Sequence, residues 1–143
     1  MSIAWAGAIP LAAFAATRAA GSSATYGFAL GVYAIGRLVC HQLPARSFHL
    51  GTASFPVCAR CTGIYVGAAI AAIALGASRG RRGEATTGMG DVEPRHLLLA
   101  ALAPTAATLI FEWTTGVMPS HWIRALAGAP LGAAVAWAIG MIN

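Results

Sequence analysis

Charge is what this 143-residue chain lacks most. Only 9% of its residues are Asp, Glu, Lys or Arg, where ordinary soluble domains carry about 25%. Lysine is absent altogether, so all nine cationic residues are arginines, and they face just four acids. A chain so poor in polar surface cannot stay in water as a globule. That excludes a soluble enzyme, a disordered tail and a nucleic-acid-binding domain. What is abundant is apolar: 58% of the residues are hydrophobic and the mean hydropathy is +0.71. This is the composition of an integral membrane protein, with the lipid bilayer as its partner and no nucleic acid. The basic pI near 9.9 then reads as arginines placed at the ends of spans.

Five apolar runs follow one another along the chain. They cover Ile3 to Thr17, about Ala24 to Val39, about Pro56 to Ala77, about His96 to Trp113 and about His121 to Ile142. Backbone groups cannot be left unpaired in hydrocarbon, so each run is expected to be a helix. The expected fold is an all-α integral membrane protein, a compact bundle of about five transmembrane helices forming one domain over residues 1–143. Four spans remain if the first run, which is short and carries Pro10, is removed or lies flat. No basic residue precedes that run, which argues against a secretory signal. Two polar stretches interrupt the spans: a Cys/His loop at 40–61, and an Arg/Gly-rich loop at 79–95 expected to be solvated. Gly27/Gly31, Gly63/Gly67 and Gly128/Gly132 are spaced four apart. Such pairs either let helices approach closely or arise by chance among 17 glycines.

Alternation of spans gathers the unusual polar residues on one membrane face. The end of span two, the 40–61 loop, the end of span four and the start of span five share that face. Between them they carry Arg37, Cys40, His41, Gln42, Arg46, His49, Cys58, Arg60, Cys61, Glu112, His121 and Arg124. The opposite face holds Arg18 and the 79–95 loop. Arginines are nearly balanced between the two faces. Setting aside those that serve a site, the positive-inside rule puts 79–95 in the cytoplasm and the Cys/His face outside the cell membrane.

The most specific stretch reads Cys40-His41-Gln42-Leu43-Pro44-Ala45-Arg46-Ser47-Phe48, then Pro56-Val57-Cys58-Ala59-Arg60-Cys61-Thr62-Gly63-Ile64-Tyr65. In both blocks the sequence resembles the multi-pass membrane family catalogued as domain of unknown function 2085. The resemblance runs from about span two to the C-terminus. It implies a Ser-x-x-x-Arg-x-x-x-Gly pattern, matched by Ser120, Arg124 and Gly128. It also implies an Asp-Gly pair closing the fourth span, where this chain has Glu112-Trp113. The resemblance points to the site without naming a reaction.

Three chemistries fit these residues. In the first, Cys58 and Cys61 form a Cys-x-x-Cys that places two thiolates on one ion, with Cys40 and His41 completing the set and His49 in reserve. Zinc, or another thiophilic metal, suits such ligands. The metal would be catalytic, transported or a structural staple for the loop. In the second, Cys58 and Cys61 are the reactive pair of a thiol–disulfide oxidoreductase, with Cys40 as relay. In the third, Arg46, Arg60 and Arg124 clamp the phosphate or carboxylate of a polar or lipid substrate while Glu112 or His41 acts as base. Against all three, Glu112 could simply pair with Arg37 or Arg124 at a helix end. A transporter or channel would need a homo-oligomer, because five short helices leave little room for a conduit. His96 reads as interfacial, and Trp5, Trp113, Trp122 and Tyr26 as an aromatic belt.

Overall fold

The computed structural model describes residues 2–18, 22–80 and 93–142. Among them are five α-helices: α1 (Ser2–Thr17), α2 (Ser23–Val39), α3 (Ala59–Gly80), α4 (Pro94–Thr115) and α5 (His121–Ile142). α3, α4 and α5 are each long and apolar enough to cross a membrane. At 22 residues each reaches about 33 Å, against a hydrocarbon core of about 30 Å. α1 is apolar but has 16 residues, or about 24 Å. It packs against α2, α3 and a small hairpin.

The ends of these helices are written in their caps. Ser22 accepts the Thr25 amide and opens α2. α4 starts with Pro94 in its first turn and stops at Gly116, whose left-handed backbone (φ 68°) sends its N–H to the Glu112 carbonyl. That stop leaves Glu112 in the last turn of α4. Ser120 caps α5 by accepting the Ile123 amide, and its carbonyl receives the amide of Arg124. A serine, an arginine four residues on and a glycine four further therefore mean a cap, a side chain one turn inside, and a contact point one turn deeper.

That contact point lies in the most extensive interface of the molecule, between α3 and α5. Side chains at Gly63, Gly67 and Gly132 would overlap the carbonyl oxygens of Ala125, Ala129 and Ile64, and one at Gly128 would overlap that of Arg60. Two of the three glycine pairs thus seat one helix against the other, as small residues do in membranes. The third pair, Gly27/Gly31, faces open space.

The link from α2 to α3 is more structured than the sequence led us to expect. Pro44–Arg46 form a short 3-10 turn. His49–Leu50 (β1) and Ala53–Ser54 (β2) then pair antiparallel. Gly51, at φ 59°, takes the first corner of the two-residue turn. The third span was expected from about Pro56, but α3 begins at Ala59. Pro56 and Val57 are instead buried in the loop, where the Pro56 carbonyl accepts from the Gln42 side chain. At the other end α3 runs on to Gly80 and α4 opens at Pro94. Of the loop expected at 79–95, residues 81–92 lie outside the described residues.

Candidate metal centre and its polar neighbours

Cys40 ends α2. Its amide bonds the Gly36 carbonyl and its backbone is extended (φ −147°), which carries the chain away from the helix axis. Its Sγ then accepts the backbone N–H of Cys58 at 3.2 Å. Cys58 stands immediately before α3 and its carbonyl accepts the Thr62 amide, so it occupies the capping position of that helix. Cys61 follows three residues later, above Cys58 on the first turn. Sγ atoms of Cys40, Cys58 and Cys61 all lie within 4.8 Å of one another, and none is in a disulfide.

Gln42 fixes this approach. Its backbone is left-handed (φ 48°), a conformation disfavoured by about 1–2 kcal/mol for a residue with a Cβ. Its side-chain amide donates to the carbonyls of Tyr33 and Pro56, both at 2.7 Å. It thereby ties α2 to the segment that precedes Cys58. Gly36 makes room, since a Cβ there would meet the Pro56 oxygen and lie 2.7 Å from the Gln42 amide nitrogen. The Tyr33 hydroxyl adds a bond to the Ser54 carbonyl.

The Cys58 thiol is pulled down to about 5. The largest cause is the hydrogen bond from the Cys61 thiol. Burial opposes it, and the Cys61 amide, the Cys40 thiol and the Arg60 amide add to it. Amides at a helix start do for a thiolate what they do for a capping carboxylate. Tyr65, one turn beyond Cys61, lies within electrostatic reach of all three sulfurs. It packs edge-on against Trp5 of α1 with ring centroids 6.2 Å apart.

Arg60 lies between the two cysteines in sequence but on another flank of the same turn, facing α4. There a second cluster forms around Glu112, which is 6% exposed. Its Oε1 is 2.9 Å from Arg46 and 2.9 Å from Arg124, and its Oε2 is 3.7 Å from Arg60. Arg60 also donates to the Thr108 hydroxyl at 3.2 Å, and that hydroxyl donates to the Thr105 carbonyl. Arg124 is 3% exposed. Three cations thus surround one anion, and several buried atoms of the cluster lack a hydrogen-bond partner: Nε of Arg60, Nε of Arg124 and Oε2 of Glu112.

The structure therefore brings together Cys40, Cys58 and Cys61, and separately Arg46, Arg60, Glu112 and Arg124. It does not bring His41 to the sulfurs: His41 is exposed, and the group within reach of one ion among the described residues is the three cysteines alone. The reason is local, since the left-handed turn at Gln42 sends the Gln42 side chain, not that of His41, into the loop. His49 is exposed on β1. His121 sits in an aromatic corner, 5.7 Å from Phe48, which also packs on Phe55 and Trp122. Its Nε2 is buried without a partner. Arg37 is exposed and pairs with no carboxylate among the described residues, so the guanidiniums on Glu112 are Arg46, Arg60 and Arg124. His96 lies at the start of α4, 3.4 Å from Glu93. Sequence reasoning missed Thr108, whose signal would have been its place one turn before Glu112 on a helix face.

Comparison with known proteins places these residues in a family context. The family model described as "Predicted membrane protein (DUF2085)" matches residues 40–138. An uncharacterized protein of Methanocaldococcus jannaschii is 48% identical over 42 residues, 29% of this chain and 27% of its own length. An uncharacterized protein of Methanothermobacter thermautotrophicus is 56% identical over 32 residues, 22% of this chain and 29% of its own length. The matched stretch thus spans under a third of either relative. No solved structure matches.

Proposed function

The chain belongs to the DUF2085 family of membrane proteins, and we propose that it is a metalloprotein whose ion is held by Cys40, Cys58 and Cys61. The observation that carries this reading is the approach of three sulfurs, from two separate segments, to within 4.8 Å. Thiolates at about 2.3 Å from a tetrahedral zinc stand somewhat closer than that to one another, so a small contraction seats the ion. Thiolate ligands favour zinc or another thiophilic metal. Three protein ligands leave the fourth position for water or substrate, the arrangement of catalytic rather than closed structural sites. In this reading Glu112, Arg46, Arg60 and Arg124 are the polar groups that bind and act on a polar or lipid-borne substrate. The site faces the outside of the cell membrane.

A second reading has its own support. The lowered Cys58 thiol, hydrogen-bonded by Cys61, is the arrangement of a reactive dithiol. One experiment separates the two: metal analysis and thiol titration on protein purified in mild detergent. Near-stoichiometric zinc that falls away in Cys58→Ser supports the metal centre. Absence of metal, with a Cys58–Cys61 disulfide that cycles with reductant, supports thiol redox and contradicts the metal reading.

A further inference from the structure

The arginine–glutamate cluster and an apolar pocket lie along the same three helices. On α3, Arg60, Ile64, Gly67, Ala71 and Ala74 recur three or four residues apart and so share a face. On α4 the same spacing joins Leu97, Ala101, Thr105, Thr108 and Glu112, and on α5 it joins Arg124, Ala127, Leu131 and Ala134. α5 packs against both α3 and α4. Along these faces lies a cavity of about 590 Å³, lined by Ala71, Leu75, Leu97, Ala101, Ala134 and Trp137 among others. Ala71 follows Arg60 by 11 residues, about 17 Å along α3. Guanidiniums thus stand toward one end of these helices and an aliphatic pocket toward the other.

Charge decides what fits the polar end. Arg46, Arg60 and Arg124 bring three positive charges against the single negative charge of Glu112, an excess of two; Arg60 and Arg124 carry theirs largely buried, where unbalanced charge is costly, and Arg46 carries its own at the surface. Arg124 is only 3% exposed and still has an unpartnered Nε, and so has Arg60. A dianionic oxyanion balances the excess, and guanidinium forks match phosphate oxygens. Arg46, with its side chain 41% exposed, gives that end an opening to the surface.

We propose that the two act as one trough binding an amphiphile that bears a phosphate monoester, its head among Arg46, Arg60 and Arg124 and its hydrocarbon chain along α3, α4 and α5 to the pocket. This deepens the substrate-binding side of the function proposed above and does not rest on the metal. Metal content and lipid binding can therefore fail independently. The test titrates dioctanoyl phosphatidate, dioctanoyl phosphatidylcholine and inorganic phosphate into the full chain as purified in detergent, read by calorimetry. The expected order is phosphatidate tighter than either of the others by about tenfold or more, the worth of one charge-assisted hydrogen bond set. Arg46→Gln should weaken phosphatidate by about the same factor. Ala71→Phe should weaken phosphatidate while leaving inorganic phosphate unchanged, provided the ligand-free variant melts as the parent does. Equal affinity for phosphatidate and phosphatidylcholine would overturn the cradle. Inorganic phosphate binding as tightly as phosphatidate, or no effect of either substitution, would overturn the trough.

Discussion

Glu112 is the residue on which most of the polar end depends. Removing its carboxylate leaves three guanidiniums converging on an uncompensated, largely buried space, and breaking a buried pair in this way costs about 3–5 kcal/mol. Glu112→Ala should therefore lower the thermal midpoint in detergent far more than Glu112→Asp, which keeps the charge and shortens its reach by one methylene. Equal loss in the two variants would show that packing, not charge, is what the site needs. Cys58 gives a pH-dependent outcome. Its folded-state value of about 5 lies below that of an ordinary thiol, near 8.5. The thiolate thus persists as pH falls and is lost only near pH 5. In metal-stripped protein, iodoacetamide labelling of Cys58 should stay on a plateau from neutral pH to about pH 6 and decline below it. A decline already complete by pH 7 would refute the thiolate. The reacting types at these positions were legible in the sequence, because cysteine, arginine and glutamate are conspicuous in a chain with 9% charge. What stayed illegible was the rank of neighbours. Cys40 and His41 are adjacent, and only the backbone turn at Gln42 (φ 48°) separates a sulfur inside the cluster from an imidazole in solvent.

Helices were readable in existence and nearly in extent, since apolar runs must be helical in a bilayer. Their ends were set by details that hydropathy does not carry: the left-handed stop at Gly116, the Ser120 cap and the thiolate-capped start of α3. The hairpin at 49–54 went unseen because two-residue strands are too short to leave a periodic pattern. The glycine pairs show how much context matters. Gly63/Gly67 and Gly128/Gly132 meet facing backbone, whereas Gly27/Gly31 has nothing near, although the spacing is the same. Gly132→Val should accordingly overpack the α3–α5 interface and destabilise the protein by about 1–3 kcal/mol, while Gly31→Val should be close to neutral. Thermal unfolding of both variants in the same detergent checks this, and similar losses would contradict the assigned interface.

At the scale of the whole molecule, chain alternation explains why so short a protein concentrates its chemistry. The end of α2, the start of α3, the end of α4 and the start of α5 lie together at one end of the bundle. The parity of the spans foresaw that much. It could not divide the result into two clusters. That division comes from the helical turn, which sets Arg60 on a different flank of α3 from Cys58 and Cys61 and so aims one flank at α2 and the other at α4. In the proposed centre, three sulfurs of this end hold one ion. X-ray absorption at the zinc edge of the detergent-purified protein tests it most directly. Three sulfur neighbours at about 2.3 Å and one lighter atom at about 2.0 Å are expected. A first shell of nitrogen and oxygen alone, or a sulfur count unchanged in Cys40→Ser, would contradict it.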